Sequence, residues 1–332
     1  MTNMLEEEES MESTFRYPDP PIQLENVIED LGEVVGLLER NAPYNPLRGW
    51  FRPDQDPAAA TNPMWFQKTW MGGEIAVEGS DLFVQHERVF ETVRQFYDAE
   101  VVVPHTLFVN LMAAIPECGP VHTDNPLFRG RDRLNTPMRL LRTMYWSGLF
   151  AGWATDQATS IWWMNDVGGG GIAYWADGPE KPPKRHVGAM ANTSIVGDNH
   201  GMFHQVESVG PFDKGTHLVS PVAELAPAND GSGDWAVTDG GVETYRAPLD
   251  EIRVSVLWKA HVFPTEEERR RVEKDTLSYA DVARIFDEDL AEQGADLRFD
   301  VDRIEETAFM DALAEVYPEP VPIGSRKSIF DI

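Results

Sequence analysis

The feature that most constrains the fold is a series of short strand-like runs between Val101 and Val262, separated by Gly, Pro and Asn. The runs are rich in β-branched and apolar residues, which favour strands, and the residues between them favour turns. Short strands with such turns predict an antiparallel barrel or double sheet. The predicted strands are Val101–Val103, Thr106–Met112, Arg139–Trp146, Thr159–Met164, Gly171–Trp175, Ala189–Val196, Met202–Val209 and Ile252–Val262.

Helices are predicted on both sides of this β region. Apolar residues recur at helical spacing from Ile22 to Glu39 and again from Phe90 to Tyr97. After Pro264, Thr265 and Glu268 have the spacing of a capping box, which satisfies free amide groups at a helix start. Two more amphipathic helices are predicted over Ser278–Glu292 and Asp302–Val316, so the region 265–317 is expected to be helical.

The domain organisation is predicted from changes in composition. Residues 1–21 combine an acidic run with several prolines and are expected to form a disordered tail. A single domain is expected over 22–326, with its β core at about 101–262. Residues 210–250 are interpreted as an insertion with a flexible tip at Asn229–Asp234. The aromatic-rich residues 41–73 are expected to pack over the core and to wall a pocket.

The charge of the chain excludes two classes of partner. The sequence has 28 basic and 56 acidic residues and a formal net charge of −28. Nucleic acids need a basic surface, and anionic membranes repel an acidic protein. We therefore expect no nucleic-acid partner and no membrane partner, and we attribute the acidity to solubility.

Features that would place the protein outside the cytoplasm are not seen in the sequence. Cys118 is the only cysteine, so no disulfide framework can form within the chain, and it is expected to be a buried small hydrophobe. No apolar run has the length of a membrane span, and the first residues lack the order of a signal peptide. We predict a cytoplasmic protein; the sequence leaves open whether it forms a homo-oligomer.

Two segments of the sequence supply the predicted ligands of a metal site. His122 and Asp124 lie two residues apart, so in an extended segment both side chains point the same way. An imidazole and a carboxylate on one face provide mixed nitrogen and oxygen ligands. Downstream, His204 falls inside a predicted strand, whereas His200 falls in a turn. His204 is the favoured third ligand and His200 the alternative.

A third motif predicts a site for an anion. Arg253 and Ser255 share one face of an otherwise apolar strand. A guanidinium there is costly unless it binds an anion, and its planar fork matches a carboxylate. An internal salt bridge is the alternative interpretation. The glycine run Gly168–Gly171 lacks phosphate-loop spacing and is interpreted as a turn between strands. His186, His217 and His261 have no partner at useful spacing and are interpreted as structural.

The ordered set of His122-x-Asp124, His204 and Arg253-x-Ser255 resembles the Fe(II)- and 2-oxoglutarate-dependent oxygenases. The resemblance covers about Thr106 to Val262. It implies a double-stranded β-helix, which is a cupin-like jelly-roll barrel, with flanking helices. It implies that His122, Asp124 and His204 bind Fe(II), and that Arg253 and Ser255 hold the distal carboxylate of 2-oxoglutarate.

In that family, O2 and 2-oxoglutarate are consumed, and oxidative decarboxylation to succinate and carbon dioxide is coupled to hydroxylation of a substrate C–H bond. No catalytic acid or base beyond the metal centre is implied. Halogenating relatives usually have a small residue at the position of Asp124, so this aspartate favours oxygenation. A small-molecule substrate is expected, although the sequence names neither the substrate nor the reaction outcome.

One departure from the family pattern concerns the arginine. In many members it follows the distal histidine after a short hairpin, but here 49 positions separate His204 from Arg253. An insertion at 210–250 would account for this spacing. Without one, Arg246 becomes the alternative anchor for 2-oxoglutarate, and Lys259 is a weaker candidate.

Two other functions remain open at the level of sequence. The first is a cupin-like metalloenzyme that uses the same three ligands without 2-oxoglutarate, in which Arg253 forms a salt bridge. The second is a non-catalytic jelly-roll protein that binds a partner through its acidic surface or through residues 210–250. Iron binding that depends on His122 counts against the second.

Overall fold

The structure is a computed structural model that describes residues 17–47, 60, 65–211 and 218–329. Most of the predicted acidic tail lies outside the described residues. The strands, in chain order, are β1 (Ile22–Glu25), β2 (Asn45–Pro46), β3 (Phe66–Gly72), β4 (Glu74–Ile75), β5 (Val101–Met112), β6 (Gln157–Trp163), β7 (Ile172–Tyr174), β8 (Lys184–His186), β9 (Thr193–Gly197), β10 (His204–Val206), β11 (Glu224–Pro227), β12 (Asp234–Asp239), β13 (Val242–Pro248) and β14 (Arg253–Phe263).

The helices flank these strands. They are α1 (Leu31–Arg40), α2 (Asp81–Val84), α3 (Glu87–Tyr97), α4 (Met138–Trp146), α5 (Glu266–Val272), α6 (Tyr279–Glu292) and α7 (Thr307–Val316). Local signals set several of their starts. Thr265 accepts a hydrogen bond from the Glu268 amide at the start of α5, which is one half of the predicted capping box; the Glu268 carboxylate accepts from Arg271 instead. Ser278 and Asp281 form a capping box at the start of α6.

The largest sheet has eight strands in the order β1-β9-β6-β14-β5-β3-β2, and β4 pairs with β3. Strand β14 lies at its centre and pairs antiparallel with β5 on one side and with β6 on the other. Because side chains alternate along β14, Val254, Val256 and Trp258 face one side of the sheet and pack in its main apolar core. Arg253 and Ser255 face the opposite side.

Helices α1 and α3 cover the apolar side of this sheet. Val34 and Leu37 of α1 and Val89 and Val93 of α3 belong to the same buried cluster as Trp258. Burying such side chains stabilises the fold by about 1.5–3 kcal/mol each. Because α1 and α3 cover only this face, the opposite face of the sheet, which carries Arg253 and Ser255, is available to form a site.

A smaller sheet, in the order β10-β7-β8, lies over that other side. The segment 115–124 extends it, because Ile115 bridges to Val209 and His122 bridges to His204. A third sheet of β11, β12 and β13 lies between β10 and β14 in the chain, within residues 210–250. Its interpretation as an insertion stays a prediction.

A second apolar cluster joins helices from distant parts of the chain. Leu140 and Met144 of α4, Phe286 of α6 and Phe309 of α7 are all buried in it. The strand predicted over Arg139–Trp146 is wrong, because this segment is α4. Its buried residues Leu140, Leu141 and Met144 recur at helical rather than alternating spacing.

The helix predicted from Ile22 to Glu39 is wrong in its first part. Ile22 to Glu25 form β1, which pairs with β9, and the helix begins only after Asp30. The Asp30 carboxylate accepts a hydrogen bond from the Gly32 amide, which marks the helix start. Asn26, with φ of 50°, makes the turn between the two elements.

The fold class is confirmed as mainly β with flanking helices. The glycine run between β6 and β7 is a connection between strands, as predicted. Closure into a double-stranded β-helix stays a prediction, since the described strands form three open sheets. Within the described part of the chain, none of the helices combines the length and the apolar character that a membrane span requires.

Candidate metal centre

Strand pairing brings the two predicted histidine ligands side by side. The His122 amide donates to the His204 carbonyl oxygen over 3.0 Å, and the His204 amide donates back over 2.9 Å. Residues paired directly across two strands place their side chains on the same face. The two imidazole ring centres are 4.3 Å apart. Backbone pairing therefore places the two imidazole rings next to each other.

Asp124 completes the cluster. Its amide donates to the Asn199 carbonyl oxygen, which fixes the chain two residues after His122. Its Oδ1 atom lies 4.0 Å from Nε2 of His122 and 3.9 Å from Nε2 of His204. The three candidate ligand atoms all lie within 4.8 Å of one another. The structure thus brings together the three residues that the sequence predicted as ligands.

The two imidazoles are held with one nitrogen directed at the cluster. Nδ1 of His122 contacts the Pro120 carbonyl oxygen at 3.0 Å, and Nδ1 of His204 contacts the Met202 carbonyl oxygen at 3.1 Å. With a proton on Nδ1, each ring donates to its carbonyl and keeps the Nε2 lone pair for a metal. This arrangement orients both rings through backbone carbonyl groups.

The charges of the three groups match those of metal ligands. Burial lowers the pKa of His122 to about 3 and also lowers the pKa of His204, so both rings are neutral at pH 7. For Asp124, burial raises the pKa, but Lys259 and the two histidines together outweigh it and hold the pKa below its usual range. Two neutral nitrogens and one carboxylate oxygen with open positions fit Fe(II).

Lys259 forms a buried ion pair with Asp124. Its Nζ lies 2.7 Å from Oδ2 of Asp124, on the oxygen that does not face the histidines. The pair orients the carboxylate and leaves Oδ1 for a metal. From the sequence, Lys259 is only a weaker candidate anchor for 2-oxoglutarate. In the structure it lies on the same face of β14 as Arg253 but pairs with Asp124.

Removing the lysine should destabilise the metal-free protein. We expect Lys259→Met to lower the free energy of unfolding by about 3 kcal/mol, because it leaves a buried carboxylate without its cation. Saturating Zn(II) should restore most of the loss by neutralising Asp124. Urea denaturation with and without Zn(II) measures both effects. Lys184→Met, which removes an exposed pair with Asp177, is the control. An equal loss with and without Zn(II) would contradict the role given to Lys259.

The cluster lines a cavity between the two sheets. The cavity has a volume of about 80 Å³. Its lining residues come from the large sheet, from the loop segments beside it and from the smaller sheet: Leu47, Trp65, Gln67, Phe108, Asn110, His122, Asp124, Ile161, His204, Val206, Arg253, Ser255 and Leu257. The predicted metal ligands and the predicted anion-binding pair thus share one cavity.

Arg253 is buried in this cavity without a carboxylate beside it. Only 2% of its surface is exposed, and within the described part of the chain it forms no ion pair. Its Nε donates to the Gly170 carbonyl oxygen at 2.5 Å, and one terminal nitrogen donates to Oγ of Ser255 at 2.6 Å. Burial lowers the pKa of Arg253 to about 9, which leaves the group charged at pH 7. A buried cation of this kind favours an anionic ligand.

Gly170 makes room for the guanidinium. Its φ is +72°, and a Cβ atom at this position would lie 2.8 Å from Cδ of Arg253. Any side chain here would therefore push the arginine from its place. The glycine run therefore connects two strands, as interpreted from the sequence, and also leaves space for the Arg253 side chain, which the sequence did not indicate.

The alternative residues lie elsewhere. Arg246 is on β13, 32% exposed, and pairs with Asp230 and Glu243. It does not line the cavity. His200 lies in the turn before β10, where its Nδ1 is 3.4 Å from Asp198. Cys118 is a buried free thiol, as predicted.

Sequence reasoning missed a polar pair in the wall of the cavity. Nε2 of Gln67 on β3 donates to Oδ1 of Asn110 on β5 over 2.7 Å. The sequence did mark out Asn110, because it is a polar amide inside the apolar run of β5, between Val109 and Leu111. Gln67 carried no such signal, because only the pairing of β3 with β5 brings it there.

No protein-family model matches this chain, and no curated protein matches it. Similar solved structures do exist. An oxidoreductase of the 2OG-Fe(II) oxygenase family from Burkholderia pseudomallei has 12% identity and a TM-score of 0.39, over 73% of this chain and 84% of that one. A prolyl hydroxylase from Trichoplax adhaerens, in complex with a hypoxia inducible factor peptide, has 11% identity and a TM-score of 0.39, over 76% and 86%.

A third similar structure is the non-heme alpha-ketoglutarate-dependent epimerase SnoN of nogalamycin biosynthesis. It has 12% identity and a TM-score of 0.38, over 73% of this chain and 77% of that one. Members of the oxygenase family that the motifs resemble are thus among the similar structures. Because the likeness is this distant, any inference about function must rest on the site itself.

Proposed function

We propose that the protein is an Fe(II)- and 2-oxoglutarate-dependent oxygenase that hydroxylates a C–H bond of a small molecule. In the overall reaction, 2-oxoglutarate, O2 and R–H give succinate, carbon dioxide and R–OH. The observation that carries the proposal is Arg253, a buried cation with no ion-pair partner in the described chain, in the same cavity as His122, Asp124 and His204.

Arg253 and Ser255 are suited to the distal carboxylate of 2-oxoglutarate. The guanidinium offers parallel donors that match a carboxylate, and Oγ of Ser255 lies on the same strand face beside it. In water such a pair is worth little, but in a buried cavity its electrostatic attraction is stronger. Leu257 follows on the same face and gives an apolar wall on the way to Asp124. A 2-oxo acid with a second carboxylate should therefore bind better than one without, because only the second carboxylate can contact Arg253 and Ser255.

His122, Asp124 and His204 would hold the iron. Bound Fe(II) would supply open positions for the 2-oxo acid and for dioxygen. The chain itself orients the ligands through backbone carbonyls and Lys259 and surrounds them with buried residues that limit water. No protein acid or base is required, because the cofactor carries the difficult chemistry.

A visible absorption spectrum tests the proposal. The metal-free protein is mixed anaerobically with Fe(II), and 2-oxoglutarate is then added. We expect a weak charge-transfer band that needs both components, because a bidentate 2-oxo acid on iron produces it. Admitting O2 should then release succinate. 2-Oxobutanoate, which lacks the distal carboxylate, is the control and should give the band only at a much higher concentration.

The outcomes separate the competing functions. Iron binding without a band would favour a cupin-like metalloenzyme that does not use 2-oxoglutarate. An equal response to 2-oxobutanoate would remove the role of Arg253. Absence of iron binding would leave the non-catalytic binding protein as the remaining candidate.

A further inference from the structure

A second and larger cavity lies beside the ion pair of Lys259 with Asp124, on the side away from Arg253. Its volume is about 380 Å³, within the range of small-molecule sites. The row of side chains on one face of β14 gives its place. Arg253 and Ser255 come first, Lys259 contacts Asp124, and His261 lies one step further along. Phe108 lines both cavities.

Two imidazoles with unused nitrogens form part of the wall of this cavity. His105 on β5 and His261 on β14 stack with ring centres 4.2 Å apart and planes at 24°. Nε2 of His105 and Nδ1 of His261 are buried and have no hydrogen-bond partner among the residues that the structure describes. Each unpaired buried polar atom costs about 1–3 kcal/mol. Two such atoms in one cavity wall favour a ligand that supplies the missing hydrogen bonds.

The charges around the cavity favour a neutral ligand. Burial lowers the pKa of His105 to about 3 and lowers the pKa of His261, so both rings are uncharged at pH 7. Lys259 is already paired with Asp124. Asp132 and Arg133, which also line the cavity, have opposite charges. Leu127 and Phe108 add apolar surface.

From this geometry we infer that the second cavity binds the primary substrate, and that His105 and His261 bind its polar edge. The inferred ligand is a neutral small molecule with an apolar body and a hydroxyl or amide group. A neutral imidazole has one donor and one acceptor nitrogen, which matches groups that both donate and accept. The inference rests on the proposed function for its reaction, but not for the binding itself.

Titration with small aromatic probes tests the inference. Benzamide and benzyl alcohol have the inferred chemistry, and benzoate is the anionic counterpart of benzamide in nearly the same shape. The full chain loaded with Zn(II) is titrated while the histidine side-chain nitrogens are followed by NMR. We expect benzamide to shift the His105 and His261 signals with a dissociation constant on the order of 1 mM, and benzoate to bind at least about tenfold more weakly.

Substitutions identify which atoms bind. His105→Phe and His261→Phe keep a stacked ring but remove the free nitrogens, and each should weaken benzamide binding about fivefold. His105→Gln retains a polar atom near Nε2, and His261→Asn retains one near Nδ1, so these variants should recover part of the affinity. Recovery would not occur if the histidines only shaped the cavity.

The result that overturns the inference is distinct from failure of the proposed function. Equal binding of benzoate and benzamide, or benzamide binding that both phenylalanine variants leave unchanged, would overturn it, as would the lack of any shift with both neutral probes. The titration needs neither iron nor 2-oxoglutarate. If the wild-type protein bound benzamide as expected but gave no charge-transfer band with Fe(II) and 2-oxoglutarate, only the proposed oxygenase function would be rejected.

Discussion

Replacing Arg253 with methionine should abolish 2-oxoglutarate binding and yet stabilise the ligand-free protein. The affinity for 2-oxoglutarate should fall at least about 100-fold, because a buried charge-assisted carboxylate contact is lost. The free energy of unfolding should rise by about 1–3 kcal/mol, because an apolar side chain of similar volume replaces a buried cation without an ion-pair partner in the described chain. The Gly170 carbonyl oxygen keeps its hydrogen bond from Trp163.

Two measurements on the same samples check this result. Titration of the Fe(II) protein with 2-oxoglutarate gives the affinity, and urea denaturation of the metal-free protein gives the stability. Arg246→Met is the matched control, since Arg246 is a partly exposed arginine outside the cavity and the alternative anchor; it should leave both quantities unchanged. A stability loss in Arg253→Met with unchanged 2-oxoglutarate binding would indicate a structural arginine.

The stability gain should also depend on pH. Burial lowers the pKa of Arg253 to about 9 in the folded protein, whereas in the unfolded chain it is about 12.5 or higher. Between these values the unfolded chain binds more protons, so stability rises with pH. The cost of the charged guanidinium is therefore fully present below pH 9 and is lost as the pH rises toward the unfolded value. The advantage of Arg253→Met should therefore hold up to about pH 8 and shrink as the pH rises above about 9; an advantage that stays constant above about pH 9 would contradict this.

Replacing His204 with alanine should abolish metal binding. Changes to groups that only orient a ligand cost about 10–100-fold in metal affinity, so loss of one of three ligands should cost at least about 100-fold. The matched control is His200→Ala, which removes a histidine four residues earlier. We expect it to leave the affinity within about threefold, because changes away from the ligands have small effects. Anaerobic calorimetric titration with Fe(II) measures both variants.

The same pair of variants separates the two candidate third ligands. If His200→Ala lost iron and His204→Ala retained it, the assignment of the third ligand would be reversed. If both variants retained iron, the cluster of His122, Asp124 and His204 would not be the metal site. Circular dichroism of each metal-free variant shows whether the fold is kept.

The alternation of side chains in extended segments let the sequence predict two residue pairs of the candidate site. His122 and Asp124 form one pair at a spacing of two residues, and Arg253 and Ser255 form another. This geometry is local, so it needs no knowledge of the partner strands. Helix starts at Thr265 and Ser278 were predictable for the same reason, since a capping side chain binds amides within its own first turn.

Only the tertiary structure decided which residues meet across the chain. The pairing of His122 with His204 and the ion pair of Lys259 with Asp124 join segments 82 and 135 residues apart. Met138–Trp146 became a helix because its apolar face packs against α6 and α7, which strand propensity could not indicate. The second cavity with His105 and His261 exists only because β5 and β14 are neighbours. Local spacing determines which way a side chain points, but the packing of distant segments decides what it faces.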